Sequence, residues 1–196
     1  MKKIPSDIAE RLPAAAGLLA DQGFEHTRVD EIAELTGVPR ATLYYHFAGK
    51  EEILSHLLGA MLDHLAARVQ AATDGPGSAR ERLIAVIRAQ LEVMSSDPAA
   101  CRLFVNEMDR VRRITGLRAR VRAAFHDPFG RLLAEGALDG SLRSVDIETT
   151  ASAVFGAIFF AGFHHIVTYD GFHVPEIERA VESLVLSGLE GCPHDN

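Results

Sequence analysis

The chain has 196 residues, 47% of them hydrophobic and 24% charged, with a net charge of −7. That composition supports a buried core and excludes a disordered chain. The negative sum also excludes a protein coated all over in nucleic acid, although a small local binding face remains compatible with it.

Strand signals are nearly absent and helix formers dominate, so the pattern predicts an all-α fold of about nine helices. The first runs from Ser6 to Gln22, with Ser6 as N-cap and Gly23 as C-cap. Pro13 either kinks this helix or stands in the first turn of its regular part. A second runs from Arg28 to Leu35, opened by Thr27 and Asp30 in the manner of a capping box. Thr36-Gly37-Val38 makes a turn, and Pro39 opens a third helix that continues to His46. A fourth spans Lys50 to Ala72 and is broken by the run from Thr73 to Ser78. A fifth covers Ala79 to Ser95. Asp97-Pro98 caps a sixth, which ends near Arg113. A seventh spans Leu117 to Glu135, an eighth Val145 to Thr168 and a ninth Pro175 to Leu189.

The second and third helices, joined by a short turn containing Gly37, have the layout of a helix-turn-helix, whose second helix can enter the major groove of DNA. Spacing assigns Ile32, Ala33, Leu35, Val38, Leu43 and Phe47 to a small core. It leaves Arg40, Ala41, Thr42, Tyr44, Tyr45 and His46 outside, a face rich in hydrogen-bond donors that suits base edges and phosphates. Lys50 opens the next helix, where its ammonium and the free backbone N–H groups suit a phosphate. Spacing alone leaves a second reading open, in which the aromatics are core and the motif is only a packing unit. From Met1 to His56 there are six Lys and Arg against nine Asp and Glu. Any positive face is therefore local, built from Arg28, Arg40 and Lys50 with Lys2 and Lys3, and few phosphates are neutralised.

The stretch from Gly23 to Leu54 resembles the N-terminal signature of the tetracycline-repressor (TetR) family of transcription regulators. The matching positions are Gly23-Phe24, Thr27, Val29, Ile32-Ala33, Gly37-Val38, Thr42-Leu43-Tyr44, His46-Phe47, Lys50 and Glu51. The resemblance covers about a quarter of the chain. It implies a helix-turn-helix domain over residues 1–50 and an effector-binding and dimerisation domain over residues 51–196. It also implies DNA contacts at Thr27, Arg28, Arg40, Thr42, Tyr44, Tyr45, His46 and Lys50. The chain departs from the family at Pro39, where Ser is usual, and at Ala41, often Gly. Pro39 removes a capping hydroxyl, and the Ala41 methyl gains reach to a thymine.

The eighth helix is apolar nearly all round, which predicts burial on both sides. The apolar stretch Ala151 to Val167 falls short of the ~20 residues of a membrane span. At 100° per residue it separates into two stripes. Ala151, Phe155, Ile158, Phe159, Gly162 and Ile166 form a bulky face, assigned to the domain core. Ala153, Gly156, Ala157, Phe160, Ala161 and His164 form a smaller one, assigned to a symmetry mate. Ile177, Val181, Leu184 and Gly188 offer a second seam, completing a four-helix dimer interface. Both stripes as internal core is the alternative. A dimer would place two recognition helices about 34–36 Å apart, on a near-palindromic operator.

A small, mostly apolar effector fits the inward positions of the later helices. Met94, Phe104, Met108, Phe125, Phe155 and Phe159 are the candidate lining, with Glu107, Arg112 and Arg113 as polar handles. No metal and no cofactor are expected. His164 and His165 point about 100° apart, and no Cys, His and carboxylate set has ligand spacing. No phosphate-cradling glycine loop, nucleophile elbow or HExxH motif points to an enzyme. A DNA-binding protein without a ligand, acting architecturally or through a protein partner, is the alternative function. Two distant cysteines, Cys101 and Cys192, and an N-terminal Lys2-Lys3 run without an apolar leader fit reduced thiols in the cytoplasm.

Overall fold

The structure is a computed structural model that describes residues 4–169 and 172–189; Lys2, Lys3 and Cys192 lie outside the described residues. Every regular element among the described residues is a helix, with no strand among them. They form two compact units, one of residues 4–62 with 97–118 and one of residues 63–96 with 119–169 and 172–189.

In the first unit, α1 (Ser6–Arg11) and α2 (Ala15–Gln22) are separated by a single 3-10 turn, Leu12–Ala14. Pro13 lacks an N–H and its ring opposes the carbonyl four residues back, so the α-helical ladder cannot run through it. The expected single helix is thus two. Ser6 makes no capping bond, since Pro5 holds the N-cap position. Helix α3 (Val29–Thr36) begins one residue later than expected. Its box is closed by Glu31, whose carboxylate accepts from the Arg28 N–H at 2.7 Å. The Thr27–Asp30 box does not form.

Gly37 follows α3 with φ +64°, a left-handed position that glycine adopts without steric cost. Helix α4 (Arg40–His46) then starts behind Pro39, and α5 (Lys50–Thr73) behind Gly49. Ile32, Val38, Leu43 and Phe47 are buried as expected, but Leu35 is half exposed. The inward line of α3 runs through the i, i+4 pair Ile32 and Thr36 instead. In this unit α2 packs against α7 (Pro98–Asn106), capped by Asp97, whose side chain accepts from the Ala100 N–H at 3.0 Å. A methyl at Gly17 would come within 3.9 Å of the Ala99 Cβ, so small residues let these helices approach. Cys101 is buried here, and burial pushes its thiol up to about 12.

In the second unit, α6 (Ala79–Ser96) packs against α10 (Asp127–Asp139), α11 (Ile147–Thr168) and α12 (Val174–Leu189). It buries Leu83, Val86, Ile87, Leu91 and Met94. Between α9 (Leu117–Val121) and α10 the backbone makes a π-helical turn, Arg122–His126. Pro128 explains it: with no N–H it cannot bond the Ala124 carbonyl, as a continuous helix would require. Gln90, itself buried, lends its side-chain amide to that carbonyl at 3.4 Å. The expected unbroken seventh helix is therefore interrupted. Likewise the sixth ends at Asn106, with a separate turn α8 (Met108–Val111) after it.

Helix α11 has 22 residues and is long and apolar enough to cross a membrane by length and composition, which corrects the shorter stretch read from sequence. It packs against α6, α10 and α12 along one side. Only one side is buried. Ala151, Ile158, Phe159 and Gly162 face inward, while Ala153, Phe160 and His164 are exposed. Burial on both sides does not hold within the single chain.

Two outcomes check this packing. A methyl at Gly136 would sit 2.6–2.8 Å from the Leu142 side chain, down to its Cβ. Although alanine is intrinsically favoured in a helix by ~1 kcal/mol, Gly136→Ala is expected to destabilise by about 1–3 kcal/mol in chemical denaturation. The α11 N-cap gives a pH signature. Asp146 accepts from Thr149, and those hydrogen bonds hold its carboxyl below the usual 3.8. A folded value below the unfolded one gives stability that is complete above pH 3.8 and is lost as pH falls through the folded value. The melting-temperature gap between wild type and Asp146→Ala should close over that acid range.

Candidate nucleic-acid interface

Four of the six outward residues of α4 are solvent-facing. Arg40, Ala41, Tyr44 and Tyr45 are exposed, and Thr42 and His46 half-buried, around the buried Leu43 and Phe47 that anchor the helix. Leu43 and Phe47 are four residues apart, so one stripe seats the helix and the opposite surface stays open. The Arg40 guanidinium reaches back to α3 and pairs with Asp30 at 2.8 Å, and it lies 5.4 Å from the centre of the Tyr44 ring. Asp30 therefore aims Arg40 across the motif and competes with any phosphate for it. Tyr45 meets His46 edge-on, with ring centres 5.0 Å apart. His46 Nδ1 is buried without a hydrogen-bond partner among the described residues.

Two of the sequence-derived candidates have structural duties. Thr27 is buried, and its hydroxyl donates to the Gly23 carbonyl at 2.9 Å. Its backbone N–H donates to the same carbonyl at 3.2 Å, so its polar groups serve the turn and the side-chain DNA contact read from sequence does not hold. The Lys50 ammonium donates to the carbonyls of Phe24, of Glu25 at 3.2 Å and of Thr27 at 2.7 Å. All three of its protons are thus taken up by the α2–α3 turn, which removes the outward phosphate role read from sequence. Arg28 remains exposed, with Glu31 at a loose 4.0 Å.

A group that sequence spacing does not reveal sits behind this turn. Phe24 is buried between two cations, with Lys50 Nζ 4.4 Å and the Arg110 guanidinium carbon 4.0 Å from its ring centre. Such contacts contribute about 0.5–2 kcal/mol each. Arg110 also pairs with Glu107 at 2.9 Å, with Glu25 at 2.5 Å and with Glu51 at 3.8 Å. Asn106 donates to the Ala20 carbonyl at 2.9 Å, and Arg102 pairs with Asp21 at 3.1 Å. Residues 102–110 thereby clasp the helix-turn-helix from behind. The only sequence signal was an aromatic after Gly23; its partner lies 86 residues on.

Of the candidate effector-lining residues, Phe125, Phe155 and Phe159 come together, with ring centres 4.4, 5.3 and 6.1 Å apart. Phe125 is carried there by the π-helical turn. Met94 is buried in the same unit, its thioether against Gly162. Phe104, buried, and Met108, largely exposed, belong to the other unit.

The expected partner-facing residues divide. On α11, Ala153, Phe160 and His164 are exposed, and Gly156, Ala157 and Ala161 are partly so. On α12, Leu184 and Gly188 are exposed, but Ile177 and Val181 are buried within the unit, which takes those two out of the seam. Their i, i+4 line continues to Val185 and seats α12 on its own neighbours. Ala153, Ala157, Leu184 and Gly188 line a shallow groove of about 230 Å³ between α11 and α12.

Residues 12–57 match the family model described as bacterial regulatory proteins, tetR family, and residues 76–161 that of a tetracyclin repressor-like C-terminal domain. The chain is 33% identical over 109 residues to the HTH-type transcriptional repressor KstR2 of Mycobacterium tuberculosis, covering 56% of this chain. It spans about half of that relative's length, 54%. The fold superimposes on PfmR, a TetR family transcriptional regulator from Thermus thermophilus, with a TM-score of 0.78 at 25% identity over 92% of this chain and 99% of that one. It also matches FadR from Bacillus subtilis, solved in complex with stearoyl-CoA, with a TM-score of 0.75 at 22% identity over 92% and 98%.

The two cations at the motif separate by measurement. Arg40→Ala should leave thermal stability unchanged and relax preference at one base position of a bound duplex, costing about 1–3 kcal/mol if the contact is bidentate to a base. Lys50→Met should instead lower the melting temperature, since three carbonyls lose their donor, and weaken all duplexes alike. Calorimetry beside a duplex-binding assay distinguishes the two.

Proposed function

The chain belongs to the tetR family of bacterial regulatory proteins, and from that premise we propose that it is a ligand-responsive, DNA-binding transcription regulator acting as a repressor. The observation that carries the reading is the solvent-open face of α4, where Arg40, Ala41, Thr42, Tyr44, Tyr45 and His46 stand around a buried Leu43–Phe47 anchor. That face is narrow enough for a major groove and rich in donors for base edges. Arg28 and the backbone N–H at Lys50, in the first turn of α5, supply its phosphate side. Residues 1–50 form the reading domain and residues 51–196 the effector-binding and dimerisation domain. The named relatives are transcriptional regulators, not enzymes, and soluble bacterial ones, which supports a cytoplasmic location.

The functional molecule is a homodimer. An exposed Phe160 among small residues on α11, and an exposed Leu184 beside Gly188 on α12, support a close-packed contact with a second copy. Two copies of α4 then face successive major grooves, so the operator is an inverted repeat. The effector is a small molecule with a large apolar part. The Phe125–Phe155–Phe159 cluster supports that class, and the B. subtilis relative's complex with stearoyl-CoA supports an acyl or similarly lipid-like chain. Effector binding favours one arrangement of the C-terminal helices and so lowers the population competent for DNA.

Selection of bound duplexes from a random pool tests the reading. Inverted repeats should emerge, and the complex should have the mass of two subunits. Single half-sites bound by one subunit would overturn the dimer. Release of the selected duplex by a long-chain acyl compound, absent in Phe155→Asp, would support the effector class. Release by none would favour the ungated reading.

A further inference from the structure

The charge of this chain is unevenly spread, and one cleft in the first unit is short of anions. It has a volume of about 660 Å³ and is lined by Asp109, Arg112, Arg113 and Arg118. Asp109 is the single carboxylate there, and Arg112 and Arg113 share it at 3.5 and 3.4 Å. Both separations exceed the ~2.7–2.9 Å of a strong charge-assisted bond. Arg118 has no ion-pair partner among the described residues. Two positive charges are left over in an open cleft, on a chain whose net charge is −7. Elsewhere in the unit, Arg11, Arg40, Arg102 and Arg110 each hold a closer carboxylate of their own. Three arginines lining one space supply guanidinium N–H donors, the groups suited to phosphate oxygens. The volume exceeds what one phosphate fills and lies within the range of small-molecule sites.

We propose that this cleft binds a small molecule carrying two or more phosphate charges, of the pyrophosphate or nucleotide-phosphate type. Arg112, Arg113 and Arg118 hold the anion, and Asp109 is the resident carboxylate that it displaces. The site's placement gives it a consequence. Asp109 is adjacent in α8 to Arg110, whose guanidinium covers Phe24, so a ligand here acts on the clasp behind the helix-turn-helix.

Inorganic pyrophosphate titrated into the full chain by calorimetry, at low ionic strength, tests the proposal. Saturable binding with one site per chain is expected. Arg112→Gln and Arg118→Gln should each weaken it about fivefold, and Asp109→Asn should tighten it about threefold by removing the competing carboxylate. Arg68→Gln, which breaks an exposed pair with Glu92 in the other unit, should change nothing. The substituted side chains are exposed, and unchanged circular dichroism melting shows that each variant folds. No saturable heat, equal affinity for wild type and the Arg118 variant, or weaker binding by Asp109→Asn would each overturn the assignment. So would competition of a random-sequence duplex for the pyrophosphate, with Arg118→Gln weakening the duplex equally, because the cleft would then be a DNA-backbone contact.

Discussion

Between the end of α2 and the start of α3 the backbone turns through Phe24, Glu25 and Thr27, and the carbonyls of all three point at one ammonium, that of Lys50. A turn between short helices exposes carbonyls that no ladder satisfies, and here a side chain from the first residue of α5 satisfies three at once. The same residues trap the Phe24 ring, which Arg110 closes from the other side. Helix α3 takes its direction from that turn, and α4 takes its own from α3 through Gly37. The aim of the exposed α4 face thus goes back to a cation spent on the backbone of the turn behind it.

This division of labour explains how an acidic unit presents a reading surface. Arg40 is held by Asp30 and ringed by Tyr44, so its guanidinium is oriented before any duplex arrives. Few free cations remain to hold phosphates indiscriminately, which keeps sequence-independent affinity low. What the exposed face of α4 offers instead is the hydrogen-bonding hydroxyls of Thr42, Tyr44 and Tyr45.

Much of the fold was legible because its signals are local. Gly37 and Pro39 mark the turn, Asp97-Pro98 caps α7, and the Leu43–Phe47 spacing identifies the anchored side of α4. Pro128 was equally visible, but its effect depends on a distant partner: Gln90 takes up the carbonyl that the proline cannot, and the π-helical turn follows. Lys50 was misread for the same reason, since its three acceptors become neighbours only after α2 folds back. On α12, the spacing of Ile177, Val181, Leu184 and Gly188 was correct as a stripe, yet the helix turns it so that the first two are buried and the last two are not. Periodicity finds a stripe, but it cannot say whether the protein itself or a partner covers it.

Cys101 carries a consequence for how the molecule meets oxidants. With its thiol pushed up to about 12 by burial on α7, the nucleophilic thiolate is scarce at neutral pH. Burial also keeps peroxide and alkylating agents from this sulfur in the folded chain, so its labelling requires local opening. The rate at which a thiol reagent labels Cys101 would then report on how firmly α7 is seated against α2.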